Sequence, residues 1–320
     1  MSYIFNYDFT TNYSINEKNE LLISNNFKTY SIDLRRINCL FTTNKFFKSC
    51  SGKEFLKKNK IPAVYYDGKK IEFFNFKTNF SKTNNFLMKK LKHEDFKTGF
   101  GKQLMIRKAN NGIYSIVSMI NYETKENNNN PIIRMWKNFF KEIRTNSIKN
   151  CKNYDHLLEI NKTIDNYMIT NFNVCIRDEF KADTFEFDTK RKLNPNLECL
   201  FNEVSALYAM GIFSICKNKE YDPFYGIYPD KKNQKFSTMI SSLMTIIKPY
   251  IYFFCLDLIN GYYIEPEDFK KNNGLIRLKE KSLLIISKLF SEKIIHGKNS
   301  FGLGSAEAFL DFTIEKGVYL

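Results

Sequence analysis

The chain has 320 residues, 49 Lys and Arg against 34 Asp and Glu, a formal net charge of +15 and a mean hydropathy of −0.40. That length predicts one large domain beside a smaller one, with enough interior that no disulfide staple is needed. The seven cysteines (Cys39, Cys50, Cys151, Cys175, Cys199, Cys216, Cys255) are scattered, odd in number and lack any C-x-x-C pair, which argues against a disulfide framework and a zinc site and predicts buried thiols of a cytoplasmic protein. The N-terminal MSYIFNYDFTTNYS has no basic leader followed by an apolar core, and the longest apolar run, Ile251 to Ile259, is broken by Asp257. Neither secretion nor membrane insertion is expected. The positive excess favours a polyanionic partner, most simply nucleic acid, although A/T-rich coding enriches the same Lys, Asn, Ile, Phe and Tyr.

Up to about residue 80, apolar and polar residues alternate in short runs as half-buried strands do. The clearest are LLISNNFKTYSIDL, INCLFTT and PAVYYDGKKIEFFNF. In the last, Asp67-Gly68 predicts a hairpin with a two-residue loop, whose positive φ those residues tolerate. SGKEFLKKN offers a capping box, Ser51 with Glu54, and so a short helix. KTNFSKTNN (77–85) is polar and patternless, and the spacing after it turns helical. Helices are expected near 99–121, 132–146, 154–171, 195–216, 236–259 and 279–294, with ETKENNNNP (123–131) as a loop. Leu197, Leu200, Phe201, Val204, Leu207, Tyr208 and Ile212 form one core stripe, and Phe236, Met239, Ile240, Leu243, Ile247, Tyr250 and Phe254 another. The expected fold is α+β, a mainly β domain over 1–80 followed by an all-α domain over 81–320.

Several segments carry a resemblance in shared order. HLLEINKTIDNYMITNF has a Glu eight positions before a Tyr, NPNLECLFNEVSALYAMGIF is a helix opened by N-P, and YDPFYGIYP with SSLMTIIKPY follows it. RKANNGIYSIV is similar to a Lys-x-x-Asn helix, and EPEDFKKNNGLIRLKEKSLLIISKLFSEKI to a C-terminal signature. Together with the β-rich start, this order resembles the CRISPR-associated protein 1 family, the DNA integrases of CRISPR spacer acquisition. The resemblance implies pairing through the β domain, giving a homodimer or a mixed dimer with an active copy. It also implies double-stranded DNA and CRISPR-associated protein 2 as partners, and a Glu, a His and an acidic residue that hold Mg²⁺ or Mn²⁺.

Residue by residue, Glu159 matches the family's Glu, with Ile160 where the family has Gly. Pro229 stands where the His belongs, and Ser242 and Thr245 stand where the carboxylates of a D-L-M-E-P-F-R-P run belong, with Lys248 for its Arg. Hard divalent cations need anionic oxygen ligands to offset dehydration, and neutral hydroxyls offer little. Thr238, Ser242 and Thr245 share one helix face. Asp222 is expected to cap the D-P-x-x-G turn and Asp230 to be solvated. The basic groups Lys190, Arg191, Lys192 and Lys231, Lys232, Lys235, with Lys248, are candidates for DNA phosphates. His93, His156 and His296 are too dispersed for a metal or acid–base role. The favoured reading is a non-catalytic DNA-binding integrase subunit without a cofactor. The alternatives are an active integrase with a rebuilt Mg or Mn site, and a helical protein-interaction module.

Overall fold

A computed structural model describes residues 2–7, 11–24, 28–68, 70–74, 82–123, 131–180, 194–227, 238–272, 275–297 and 302–316. The N-terminal part holds β1 (Ser2–Asn6), β2 (Asn12–Ile15), β3 (Glu20–Ser24), β4 (Thr29–Asp33), β5 (Ile37–Thr42), α1 (Cys50–Lys58), β6 (Ala63–Tyr66) and β7 (Ile71–Phe74). β2, β3 and β4 form an antiparallel meander. The second sheet runs β1-β5-β6-β7, parallel except for the β6/β7 hairpin.

Contrary to the half-buried alternation expected for INCLFTT, β5 and β6 are buried on both faces. Leu40 and Ala63 face a small core with Leu21 and Leu56, whereas Cys39, Phe41 and Val64 face the helices. Two local expectations also change. The α1 cap is Ser49, whose Oγ accepts from Gly52 N at 3.0 Å, so Ser51 lies inside the helix. The hairpin after Tyr66 turns one residue later than expected, because Asp67 N donates to the Lys70 carbonyl at 3.2 Å and Asp67 Oδ1 accepts from Lys70 N at 2.8 Å, with Gly68 at φ +89°. Cys50 is exposed, unlike the buried thiols expected, and all seven cysteines are free.

The larger part is helical: α2 (Lys82–Lys90), α3 (Glu94–Glu123), α4 (Pro131–Glu142), α5 (Tyr154–Cys175), α6 (Pro195–Asn218), α7 (Thr238–Asn260), α8 (Glu280–Phe290) and α9 (Leu303–Lys316). α4 and α8 each continue as a π-helical turn, Ile143–Ile148 and Ser291–Ile295. The spacing missed α2, α9 and a hairpin within the helical part, β8 (Phe269–Asn272) with β9 (Leu275–Leu278). α6 opens on Asn194, whose side chain accepts from Asn196 N, with Pro195 at the first position where its missing N–H costs nothing. α6 and α7 are long and apolar enough to cross a membrane, yet 83% of each apolar window is buried inside the protein, as in core helices.

α3 threads the helical core and meets α4 at Gly112. There Trp136 Nε1 donates to the Gly112 carbonyl at 3.0 Å, and a Cβ on Gly112 would meet the Phe140 ring at 2.4 Å. Gly112→Ala should therefore cost about 1–3 kcal/mol in a urea unfolding series through forced displacement of Phe140.

The sheet joins the helices along one seam. Tyr7 OH pairs with Ser287 Oγ at 2.6 Å, and the Phe73 and Phe213 rings lie 4.9 Å apart. Glu203 of α6 sits in this seam, 7% exposed. Burial raises its carboxyl to about 8, with only Arg277 opposing, and Tyr7, Tyr66 and Cys199 lie within its electrostatic reach.

Candidate functional site

α5 and α7 run parallel. Asp165 is bonded to Lys248, and ten residues on Asn260 Nδ2 donates to the Cys175 carbonyl at 3.0 Å, so paired positions differ by 83 to 85 residues. Thr245 is thus level with residues 160–162 of α5, and Ser242 with 157–159. α3 closes the third side with its Lys-x-x-Asn segment.

The centre of this three-helix junction is Asp165. Its Oδ1 accepts from Lys108 Nζ, and its Oδ2 accepts from Lys248 Nζ at 2.6 Å. Lys108, wholly buried, also donates to Asn161 Oδ1 at 2.5 Å. Burial pushes the Lys108 ammonium down to about 8 despite the attraction of Asp165. Burial pushes the Asp165 carboxyl up, but the two lysines outweigh it and the net shift is downward. One turn along α3, Asn111 Nδ2 donates to the Ile246 carbonyl at 2.8 Å and to Ser305 Oγ of α9 at 3.0 Å. The first bond falls beside Pro249, whose ring disturbs the α7 hydrogen-bond ladder.

Ser242 and Thr245 are buried on the side of α7 that meets this junction. The Ser242 hydroxyl accepts a long 3.4 Å bond from Ile227 N, and Tyr154 OH donates to the Ile227 carbonyl at 2.8 Å, so both hold the turn. Thr245 Oγ1 donates to the Ser241 carbonyl at 3.0 Å. Asp222 caps the turn as expected, accepting from Phe224 N at 2.8 Å. Glu159 is level with Ser242 but exposed, because Leu157 and Ile160 take the buried face of α5. It lines a shallow groove with His156, Asn146 and Asn150. His93 and His296 are exposed as well. Pro229, Asp230, Lys190, Arg191, Lys192, Lys231, Lys232 and Lys235 lie outside the described residues, as does the Thr238 side chain.

The donors at the junction do not fit Mg²⁺ or Mn²⁺. Ser242 and Thr245 contribute neutral hydroxyls, and the carboxylate of Asp165 is already engaged by two ammonium groups. Among the described residues no group of three or more His, Cys, Asp or Glu is placed to hold a metal ion.

A family model, CRISPR associated protein Cas1, matches residues 10–292. The chain belongs to the Cas1 family. Similar solved structures include a casposase bound to integration product (14% identity, TM-score 0.74, 99% of this chain and 91% of that one). A CAS1 protein from Thermotoga maritima is similar at 13% identity and TM-score 0.73, over 99% of this chain and 96% of that one. A Cas6-RT-Cas1–Cas2 complex matches at 13% identity and TM-score 0.72, over 98% of this chain and 35% of that one. No curated protein sequence matches. Membership in the Cas1 family supports a role in CRISPR adaptation.

For this Cas1-family chain, the sequence pointed to Ser242, Thr245 and Lys248 in one run of α7, as replaced carboxylates and a phosphate-binding candidate, but not to Asp165, Asn161 or the role of Lys108. A signal existed. Lys108 lies among Leu104, Met105 and Ala109 on the apolar side of α3, and a lysine in such a place requires a buried counter-charge.

Proposed function

We propose that the chain is a non-catalytic, DNA-binding integrase subunit of CRISPR spacer acquisition, acting beside an active copy and Cas2. The observation that carries this reading is the junction itself: neutral Ser242 and Thr245 where the family has carboxylates, and Asp165 neutralised by Lys108 and Lys248 instead of a metal. Ser242 now supports the turn at Ile227, so the frame persists with a structural use. Similar solved structures, a casposase bound to integration product, a Cas6-RT-Cas1–Cas2 complex and a Cas1–DNA complex, support DNA and Cas2 as partners. Pairing through the β-rich part completes the reading.

The basic groups at 190–192 and 231–235 would contact DNA phosphates, while the Lys248 charge is already met by Asp165. Glu159 and His156 share a groove, and this is where a rebuilt Mg or Mn centre would have to form. A calorimetric Mn²⁺ titration tests the choice. No stoichiometric binding, unchanged by Glu159→Ala, is expected; a stoichiometric site lost in Glu159→Ala would establish the rebuilt centre.

A further inference from the structure

We propose that the outer face of α4 and the π-helical turn after it form a docking surface for the backbone of duplex DNA. This deepens the DNA-binding reading above and rests on it. Residues 131–152 hold six basic side chains, Arg134, Lys137, Lys141, Arg144, Lys149 and Lys152, against one acidic residue, Glu142. Arg134, Lys137, Lys141 and Arg144 recur at three- and four-residue steps, so they form one stripe along the helix. The adjoining face, Trp136, Phe140 and Ile143, is buried against α3 and α5, which leaves Arg134, Lys141 and Arg144 exposed and Lys137 half-buried at the edge.

A run of lysines on a surface is ordinarily balanced by nearby carboxylates. Here Lys137, Lys141, Lys149 and Lys152 make no ion pair among the described residues. Arg144 is held in place by a neutral partner, Asn110 Oδ1 at 3.1 Å, so its charge is oriented without being cancelled. Spacing gives the partner. Arg134 to Arg144 spans about 15 Å at 1.5 Å per residue, and one strand of a duplex presents a phosphate about every 3.4 Å of axis. Roughly four phosphates therefore lie along the length of the stripe. Asn146 of the π-helical turn and Asn150 just after it are exposed amides that line the groove beside the stripe and can bond to the sugar–phosphate edge.

The test is DNA binding by the whole chain at several salt concentrations, for the wild type, for Lys137→Glu/Lys141→Glu, and for Lys231→Glu/Lys232→Glu/Lys235→Glu. The stripe variant is expected to bind at least tenfold more weakly, with the slope of log affinity against log salt reduced by about 2, since each lost phosphate contact removes about 0.9. Lys141 is exposed and Lys137 half-buried, and an unchanged melting curve confirms the fold; Lys137→Gln/Lys141→Gln should show a smaller loss of the same kind. A stripe variant with wild-type affinity and slope, beside a weakened 231–235 variant, overturns the stripe and leaves the DNA-binding reading standing. A wild type without salt-dependent DNA binding overturns both.

Discussion

Asp165→Ala is expected to destabilise the protein by about 3–5 kcal/mol, because it leaves Lys108 charged and wholly buried without its counter-ion. The cost is capped by release of the Lys108 proton. A lysine with its pKa depressed in the folded state makes the unfolded state hold more protons, so stability should rise with pH. The deficit of Asp165→Ala measured by urea unfolding should accordingly shrink from pH 7 to pH 10. Lys108→Met should cost much less, since Asp165 keeps Lys248 at 2.6 Å and a buried charge is removed. Adding Lys108→Met to Asp165→Ala should restore most of the lost stability. Equal costs for the two single variants would contradict this picture of the junction.

The second large effect concerns the seam between sheet and helices. Glu203 holds its proton up to about pH 8 in the folded chain, whereas an unfolded glutamate releases it near 4.5. Between those values the folded state binds more protons, so this group's contribution falls as pH rises and is lost by about pH 8. The difference between wild type and Glu203→Gln should therefore change by about 3–5 kcal/mol from pH 4.5 to pH 8.5, with the amide variant gaining on the wild type as pH rises. A pH-independent difference would show that Glu203 is ionised or solvated in the seam.

These two residues mark where the sequence stopped being legible. Core stripes such as Leu197–Ile212 and Met239–Phe254 repeat at helical spacing, and every member described is buried or packed against the core. The family's order of segments led to Ser242, Thr245 and Lys248, which the fold brings to one junction. Glu203 and Asp165 were not legible, because each is polar beside an apolar stripe and only the approach of a distant element decides its state. For Asp165 that element is α3, 57 residues away in sequence. For Glu203 it is the sheet, with Tyr66 at the end of β6 and Tyr7 just after β1. The cap at Ser49 was missed for a smaller reason: Gly52 packs against the Phe46 carbonyl, where a Cβ would sit at 2.1 Å, so the helix starts earlier than the Ser51–Glu54 pattern suggests.

The most direct test of a non-catalytic, DNA-binding subunit puts both properties in one sample. The purified chain is mixed with labelled duplex DNA bearing free 3′-hydroxyls and a CRISPR repeat target in Mg²⁺ or Mn²⁺, and the mixture is resolved once on a native gel and once on a denaturing gel. The expected result is a salt-sensitive retarded complex without any joined or cleaved strand, identical for Glu159→Ala. Metal-dependent joining of the 3′-hydroxyl to the repeat by the pure chain, abolished by Glu159→Ala, would contradict it.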